Sequence, residues 1–350
     1  MKELLIEIAH ARIKFSTNFT QYFDYVQSYF AQTTIPTAEQ LDIEIVLDWS
    51  SNSINEYIEH SQKLASLTKI GGSTYTDEKR VMSVQKIQRR WKTLFDARVE
   101  DGTFKLHAVL AKNAWKDFFR FGPMSKPQDE WYFMMTNYLV YYPLFWFMES
   151  VHQTHMLHAS ALEVDKKGIV ICGMEGIGKT SLALKFLNQK DAVFLSDNLV
   201  FYNHEQLFGC YELIRLHDTD AALWGDHFEK VNTFNFLKGF YKPKAAPSKK
   251  SIKPDILIFP EFSGQFFIER LDNREAVHRA LALSYLPAEL GEYLPYRSLF
   301  NLLDIQSNPS VAQYNALSQL FSQTKCYRIG MPKSEGLERN FEKLRREIEK

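Results

Sequence analysis

Apolar and polar residues alternate in "LLIEIAHARIKF" (Leu4–Phe15), in "LDIEIVLDW" (Leu41–Trp49) and in "GTFKLHAVLA" (Gly102–Ala111), the last directly after an Asp-Gly pair. A period of two turns one side of each stretch inward, so each reads as a half-buried strand. Between the first two, "NFTQYFDYVQSYFAQ" (Asn18–Gln32) places its aromatics at helical spacing. The pattern predicts a small α+β domain over residues 1–128. Its aromatic content suits recognition of an acceptor, although no motif names one.

"FGPMSKPQDE" (Phe121–Glu130) combines a glycine, two prolines and polar residues, and reads as a linker. A helix is expected from about Asp129 to Gln153, kinked at Pro143, with its aromatic face in a core. From His158 the pattern changes. "HASALEVDKKGIVICG" reads as strand, turn at Asp165–Gly168, and a buried strand. A glycine-rich loop, the helix "KTSLALKFLNQ" and the strand "AVFLS" follow. Further strands are expected at "LVFYN", "LFGCYELIRL" and "DILIFPEF", and a charged amphipathic helix at "SEGLERNFEKLRREIEK". The fold class predicted is α/β: the small α+β domain, then a P-loop domain with a mixed sheet over residues 129–350.

The loop between "GIVIC" and its helix has the spacing G-x-x-x-x-G-K-T: Gly173, Met174, Glu175, Gly176, Ile177, Gly178, Lys179 and Thr180, with Ser181 following. Glycines let the backbone curl so that successive N–H groups point at phosphate oxygens, and the helix adds its positive N-terminal end. Lys179 would bridge the β- and γ-phosphates and the Thr180 hydroxyl would ligate Mg²⁺, so ATP and Mg²⁺ are the expected cofactors. A phosphotransferase also needs a carboxylate nearby, and Asp197 ends the next strand. A plain turn-forming Asp-Asn pair is the other reading of Asp197–Asn198.

Bulk composition trims the function classes. The 350 residues contain 42 Lys plus Arg against 42 Asp plus Glu, so no general attraction to nucleic acid or to an anionic membrane is expected. Cys172, Cys210 and Cys326 form no C-x-x-C pair, which fits a reducing cytoplasm. The most apolar run, "YLVYYPLFWFM" (Tyr138–Met148), is too short for a bilayer and holds a proline, and the first residues lack a signal-peptide core. The expectation is a soluble cytoplasmic protein.

From His158 to Arg215 the sequence resembles the catalytic core of the HPr kinase/phosphorylase superfamily, and it is closest to HPr-kinase-like serine kinases lacking the usual N-terminal domain. The shared order is a His, a hairpin, the loop G-x-x-G-x-G-K-T, and a strand ending in Asp197, the first position of the family's Asp pair. The resemblance implies a phosphoenolpyruvate-carboxykinase-like P-loop fold and transfer of phosphate to a serine of a peptide or protein, or to a small-molecule alcohol. It implies that Asp197 is the base towards the acceptor, that Lys179 and Thr180 hold phosphate and Mg²⁺, and that His158 lies near the reacting groups. Asn198 stands where the family has its second Asp, and its amide oxygen is a weaker metal ligand than a carboxylate. Glu175 stands where the family has a small hydroxyl residue. By position Glu212 completes the metal shell and Arg215 holds phosphate or acceptor, a surface ion pair being the plainer reading of both. HPr kinases are hexamers, a state that does not carry over across the missing N-terminal domain, so whether this chain forms an oligomer stays open.

Two alternatives stay open at the sequence level. One is a P-loop ATPase, although "DILIFPEF" interrupts the expected apolar strand with Pro260 before Glu261, and no N-K-x-D guanine tetrad is present. The other is a nucleotide-binding scaffold without transfer. The run "YKPKAAPSKKSIKP" (Tyr241–Pro254) holds five lysines and reads either as a solvated loop or as one that orders over the γ-phosphate or the acceptor.

Overall fold

The computed structural model describes residues 1–50, 54, 56–59, 67–77, 79–87, 91–111, 128–217, 227–233, 238–244, 250–284, 288–303 and 309–348. It is a mixed α/β structure that divides into two compact units, Met1–His152 with Glu292–Ser307, and Gln153–Gly291 with Asn308–Lys350. Most of the linker read at 121–130 lies outside the described residues; its last three residues already belong to a helix.

The first unit is built on eight strands: β1 (Lys2–Ile8), β2 (Ala11–Thr17), β3 (Ile43–Ser50), β4 (Thr68–Gly71), β5 (Thr74–Thr76), β6 (Arg80–Ile87), β7 (Trp91–Glu100) and β8 (Thr103–Ala111). Their order is β1-β2-β3-β8-β7-β6-β5-β4. The stretch read as one alternating run folds back on itself, because Ala9 and His10 take φ of 48° and 74° and pair β1 with β2. Alternation sorts the sheet into two faces. Ile43, Ile45, Leu47, Phe104 and Leu106 are buried, while Glu44, Val46 and Asp48 are only partly covered.

Helix α1 (Thr20–Tyr29) buries Tyr22, Phe23, Val26 and Tyr29, which recur every three or four residues. Helix α2 (Gln128–Thr136) runs through a π-helical turn (Asn137–Tyr141) into α3 (Tyr142–Ser150). The wide turn sits directly ahead of Pro143. There it absorbs the missing N–H bond and relieves the ring's clash with the preceding turn. This helix belongs to the first unit, rather than opening the second at residue 129. Its seat is chemical: the Tyr22 and Thr136 hydroxyls share a hydrogen bond of 3.1 Å, and Tyr132 packs against Phe19 and Tyr25. Buried Glu149 on α3 is satisfied by the Tyr293 hydroxyl (3.0 Å) and Arg297 (3.3 Å), both on α6 (Ala288–Phe300).

The second unit has a six-stranded sheet in the order β12-β10-β11-β19-β21-β20: β10 (Ala159–Val164), β11 (Lys167–Cys172), β12 (Val193–Ser196), β19 (Pro254–Phe262), β20 (Phe267–Leu271) and β21 (Lys325–Met331). The hairpin β10–β11 turns at Asp165 and Lys166, both with positive φ as a tight two-residue turn requires. β19 pairs in parallel with both β11 and β21. Helices α4 (Lys179–Leu187) and α8 (Gly336–Ile348) cover one face through Leu182, Phe186, Phe341 and Leu344. Helices α5 (Asn273–Ser284) and α7 (Pro309–Leu320) cover the other through Ala276, Ala280 and Leu317.

Two smaller sheets complete this unit. One is β18-β14-β13-β9, from Ser251–Ile252, Leu207–Gly209, Val200–Tyr202 and His155–Leu157. The other is β15-β17-β16, from Ile214–His217, Lys238–Pro243 and Phe228–Thr233, and it packs on Leu184 and Leu187 of α4. "LFGCYELIRL" therefore supplies two strands of different sheets, not one. No helix among the described residues is long and apolar enough to cross a membrane.

Gly168 lets β11 begin beside the segment entering β19, since a Cβ there would lie 1.9 Å from the Lys253 carbonyl oxygen. Its N–H donates to Asp255 (2.7 Å). Gly168→Ala is expected to cost about 2–3 kcal/mol by overpacking. Urea denaturation checks it, and an unchanged midpoint would mean the crossing is looser than described.

Candidate functional site

The loop that follows β11 carries the phosphate-loop sequence, and the backbone satisfies its geometric demands. Gly176 and Gly178 have φ of 78° and 92°, in the left-handed region that glycine occupies without strain. Gly178 is also the residue from which α4 starts. At Gly173 the demand is room: a Cβ would lie 2.9 Å from Ile177 Cγ2 and 3.4 Å from Pro260 Cγ. Pro260, which spoils "DILIFPEF" as an ATPase-type acidic strand, thus flanks the loop's first residue. Glu261 is engaged elsewhere, in a two-bond contact with Arg328.

Lys179 is buried, and its Nζ donates to the carbonyl oxygens of Gly173 (2.9 Å) and Met174 (3.1 Å). Burial pushes its pKa below the usual lysine value, and the charges of Asp197 and Glu175 oppose that shift. The Glu175 carboxylate is on the exposed tip of the loop with Met174 and Gly176. It faces water there, which removes most of the repulsion that an acid inside the cradle would exert.

Strand register explains how distant residues meet. β10 pairs with β12 so that Ala161 stands opposite Ser196, and one step further Ser160 comes level with Asp197. The fully buried Ser160 hydroxyl donates to Asp197 Oδ1. From the first turn of α4, the Thr180 hydroxyl reaches the same carboxylate, 2.9 Å from Oδ2 and 3.2 Å from Oδ1. Asp197 is therefore fixed between strand β10 and the phosphate loop. Beside it Asn198, at φ 71°, donates its amide to Glu212 (3.0 Å). The sequence reading did not single out Ser160. The available signal was a polar residue in a strand whose neighbours are apolar.

His158 precedes β10. Continuing the Ala159–Cys172 pairing places it opposite Gly173, at the loop's entrance. It is buried, and its backbone N–H donates to the Ser284 hydroxyl (3.2 Å). Arg215 stands half-buried on β15 opposite Phe240. Ser181 follows Thr180 in the first turn of α4. The centre of the lysine-rich run, residues 245–249, lies outside the described residues; Lys242, at its near end, pairs with Glu229 (2.7 Å).

The donors fit Mg²⁺ rather than a softer metal: the Thr180 hydroxyl, the Asn198 amide oxygen and the Asp197 and Glu212 carboxylates are hard oxygen ligands. Among the described residues no group of three or more His, Cys, Asp or Glu is placed to hold a metal ion. No protein-family model and no curated protein matches the chain.

Proposed function

We propose that the chain is an ATP- and Mg²⁺-dependent phosphotransferase that moves the γ-phosphoryl group to a hydroxyl, either a serine of a peptide or protein or a small-molecule alcohol. One observation carries this reading: the Asp197 carboxylate is locked between Ser160 and Thr180 beside a phosphate-type loop. In that place it accepts the proton of an attacking hydroxyl. The new O–P bond forms as the bond from the γ-phosphorus to the β–γ bridging oxygen breaks, and ADP leaves. Lys179 releases the two loop carbonyls and donates to the phosphates instead, while the loop N–H groups and the start of α4 take up negative charge. Thr180, with Asn198 and Glu212, would hold Mg²⁺, which neutralises charge between the phosphates when bound. His158 lines the entrance near Gly173, and Arg215 is assigned to phosphate or acceptor by sequence order alone. The HPr-kinase-like arrangement is supported by the order His158, hairpin, loop, Asp197 and by the mixed sheet.

A second reading rests on the Thr180–Asp197 hydrogen bond, which also suits a carboxylate that organises Mg²⁺ for an ATPase. Incubation with γ-labelled ATP and panels of serine peptides and small alcohols separates the two. Label moving to an acceptor supports the kinase. Rapid acceptor-free hydrolysis, with no labelled acceptor in any panel, would overturn it in favour of the ATPase. Binding of nucleotide without turnover would indicate a scaffold.

A further inference from the structure

The first unit carries a second concentration of charge. On the partly covered face of its sheet, Arg80 of β6 stands directly opposite Arg98 of β7, and Arg98 stands directly opposite Lys105 of β8. Like charges directly opposed across strands destabilise a sheet, so three in a row are a local cost. Glu44 of β3 ends the row opposite Lys105.

Above this row is a cavity of about 160 Å³, lined by all four of these residues together with Asp96, His107 and Tyr57. A water's share of liquid volume is about 30 Å³, so the space suits a group of several heavy atoms.

The walls are set by fixed contacts. Buried Asp96 takes two bonds from Arg80, at 2.7 and 2.6 Å, so that guanidinium cannot swing away. His107 is pinned from both sides, with Nε2 2.7 Å from Asp48 and Nδ1 2.8 Å from the Tyr57 hydroxyl. With the carboxylate accepting from Nε2–H, Nδ1 accepts from Tyr57. Arg98 and Lys105 are held differently. Both contact Glu100 at 2.7 Å, a half-exposed carboxylate at the end of β7. Glu44 lies 3.9 Å from Lys14. Exposed ion pairs of this kind contribute little to stability, so an incoming anion displaces Glu100 at little cost.

We propose that this cavity is a binding site for a small oxyanion, a phosphate or carboxylate group, held by Arg98 and Lys105 against the fixed Arg80–Asp96 pair. The site is separate from the phosphate loop and does not depend on the reaction assigned to it.

The test uses the full-length chain carrying Lys179→Ala, which removes the loop's own phosphate affinity from the readout. Isothermal titration with inorganic phosphate and, separately, with acetate is expected to show binding of at least one, and which one tells phosphate from carboxylate. Adding Arg98→Gln is expected to weaken it at least tenfold, and Arg98→Lys to recover part of the loss. Arg98 is half-exposed, so both variants should fold, and circular dichroism confirms that. Equal binding by Arg98→Gln, or no heat from either probe up to tens of millimolar, overturns the proposal.

Discussion

Replacing Lys179 with methionine is expected to lower phosphoryl transfer by about 10²–10³-fold or more, the effect of removing one preorganised donor from developing charge. The same change should leave the unfolding midpoint of the ligand-free protein unchanged or raised. Lys179 is buried, and burial holds its pKa below the ordinary value, so the folded state bears the cost of an ammonium taken from water. The sign follows from linkage. Between the lowered native pKa and the ordinary one, the unfolded chain binds more protons, so this group adds stability as pH rises through that window. Below it the charged form is penalised, and methionine removes the penalty while keeping the apolar stem. Activity assays with thermal denaturation check both halves. A methionine variant that transfers phosphate normally would remove Lys179 from the chemistry, and one that unfolds easily would make its role structural.

Asp197→Asn is expected to lower transfer by about 10²–10⁴-fold, the range for loss of a general base, with nucleotide affinity changed only a few-fold. Asparagine keeps the shape and can still accept from Ser160 and Thr180 through one oxygen, so the loop stays in place. What it lacks is the charge that takes a proton. The split between turnover and nucleotide affinity is the informative readout, measured by steady-state transfer and by titration with a non-hydrolysable analogue. If affinity for the Mg²⁺-nucleotide falls as far as turnover, Asp197 serves the metal rather than the acceptor.

Where local chemistry decides structure, the sequence was legible. The β10–β11 hairpin, the loop, α4 and β12 follow from alternation, glycine placement and helical spacing, and all appear in that order. Other features depend on partners that local pattern does not name. Ala9 and His10 carry no glycine or asparagine signal, yet they make the β1–β2 turn because the pairing on either side enforces it. The aromatics of α6 announce burial without saying that residues 292–307 join the first unit. Ser160 meets Asp197 only through the register of β10 and β12, across 37 positions of chain. The site's loop was therefore readable, while the residue that steadies its carboxylate was not.

The two bonds from Lys179 to the carbonyls of Gly173 and Met174 bear on selectivity among nucleotides. Without ligand the ammonium already has acceptors, so a newcomer gains nothing from it unless it offers oxygens in exchange. A triphosphate supplies them at the β and γ positions, whereas a nucleoside monophosphate has none to offer there and leaves the lysine on its own backbone. If the loop takes the nucleotide proposed for it, these two bonds favour a phosphate chain long enough to replace both carbonyls over a shorter one.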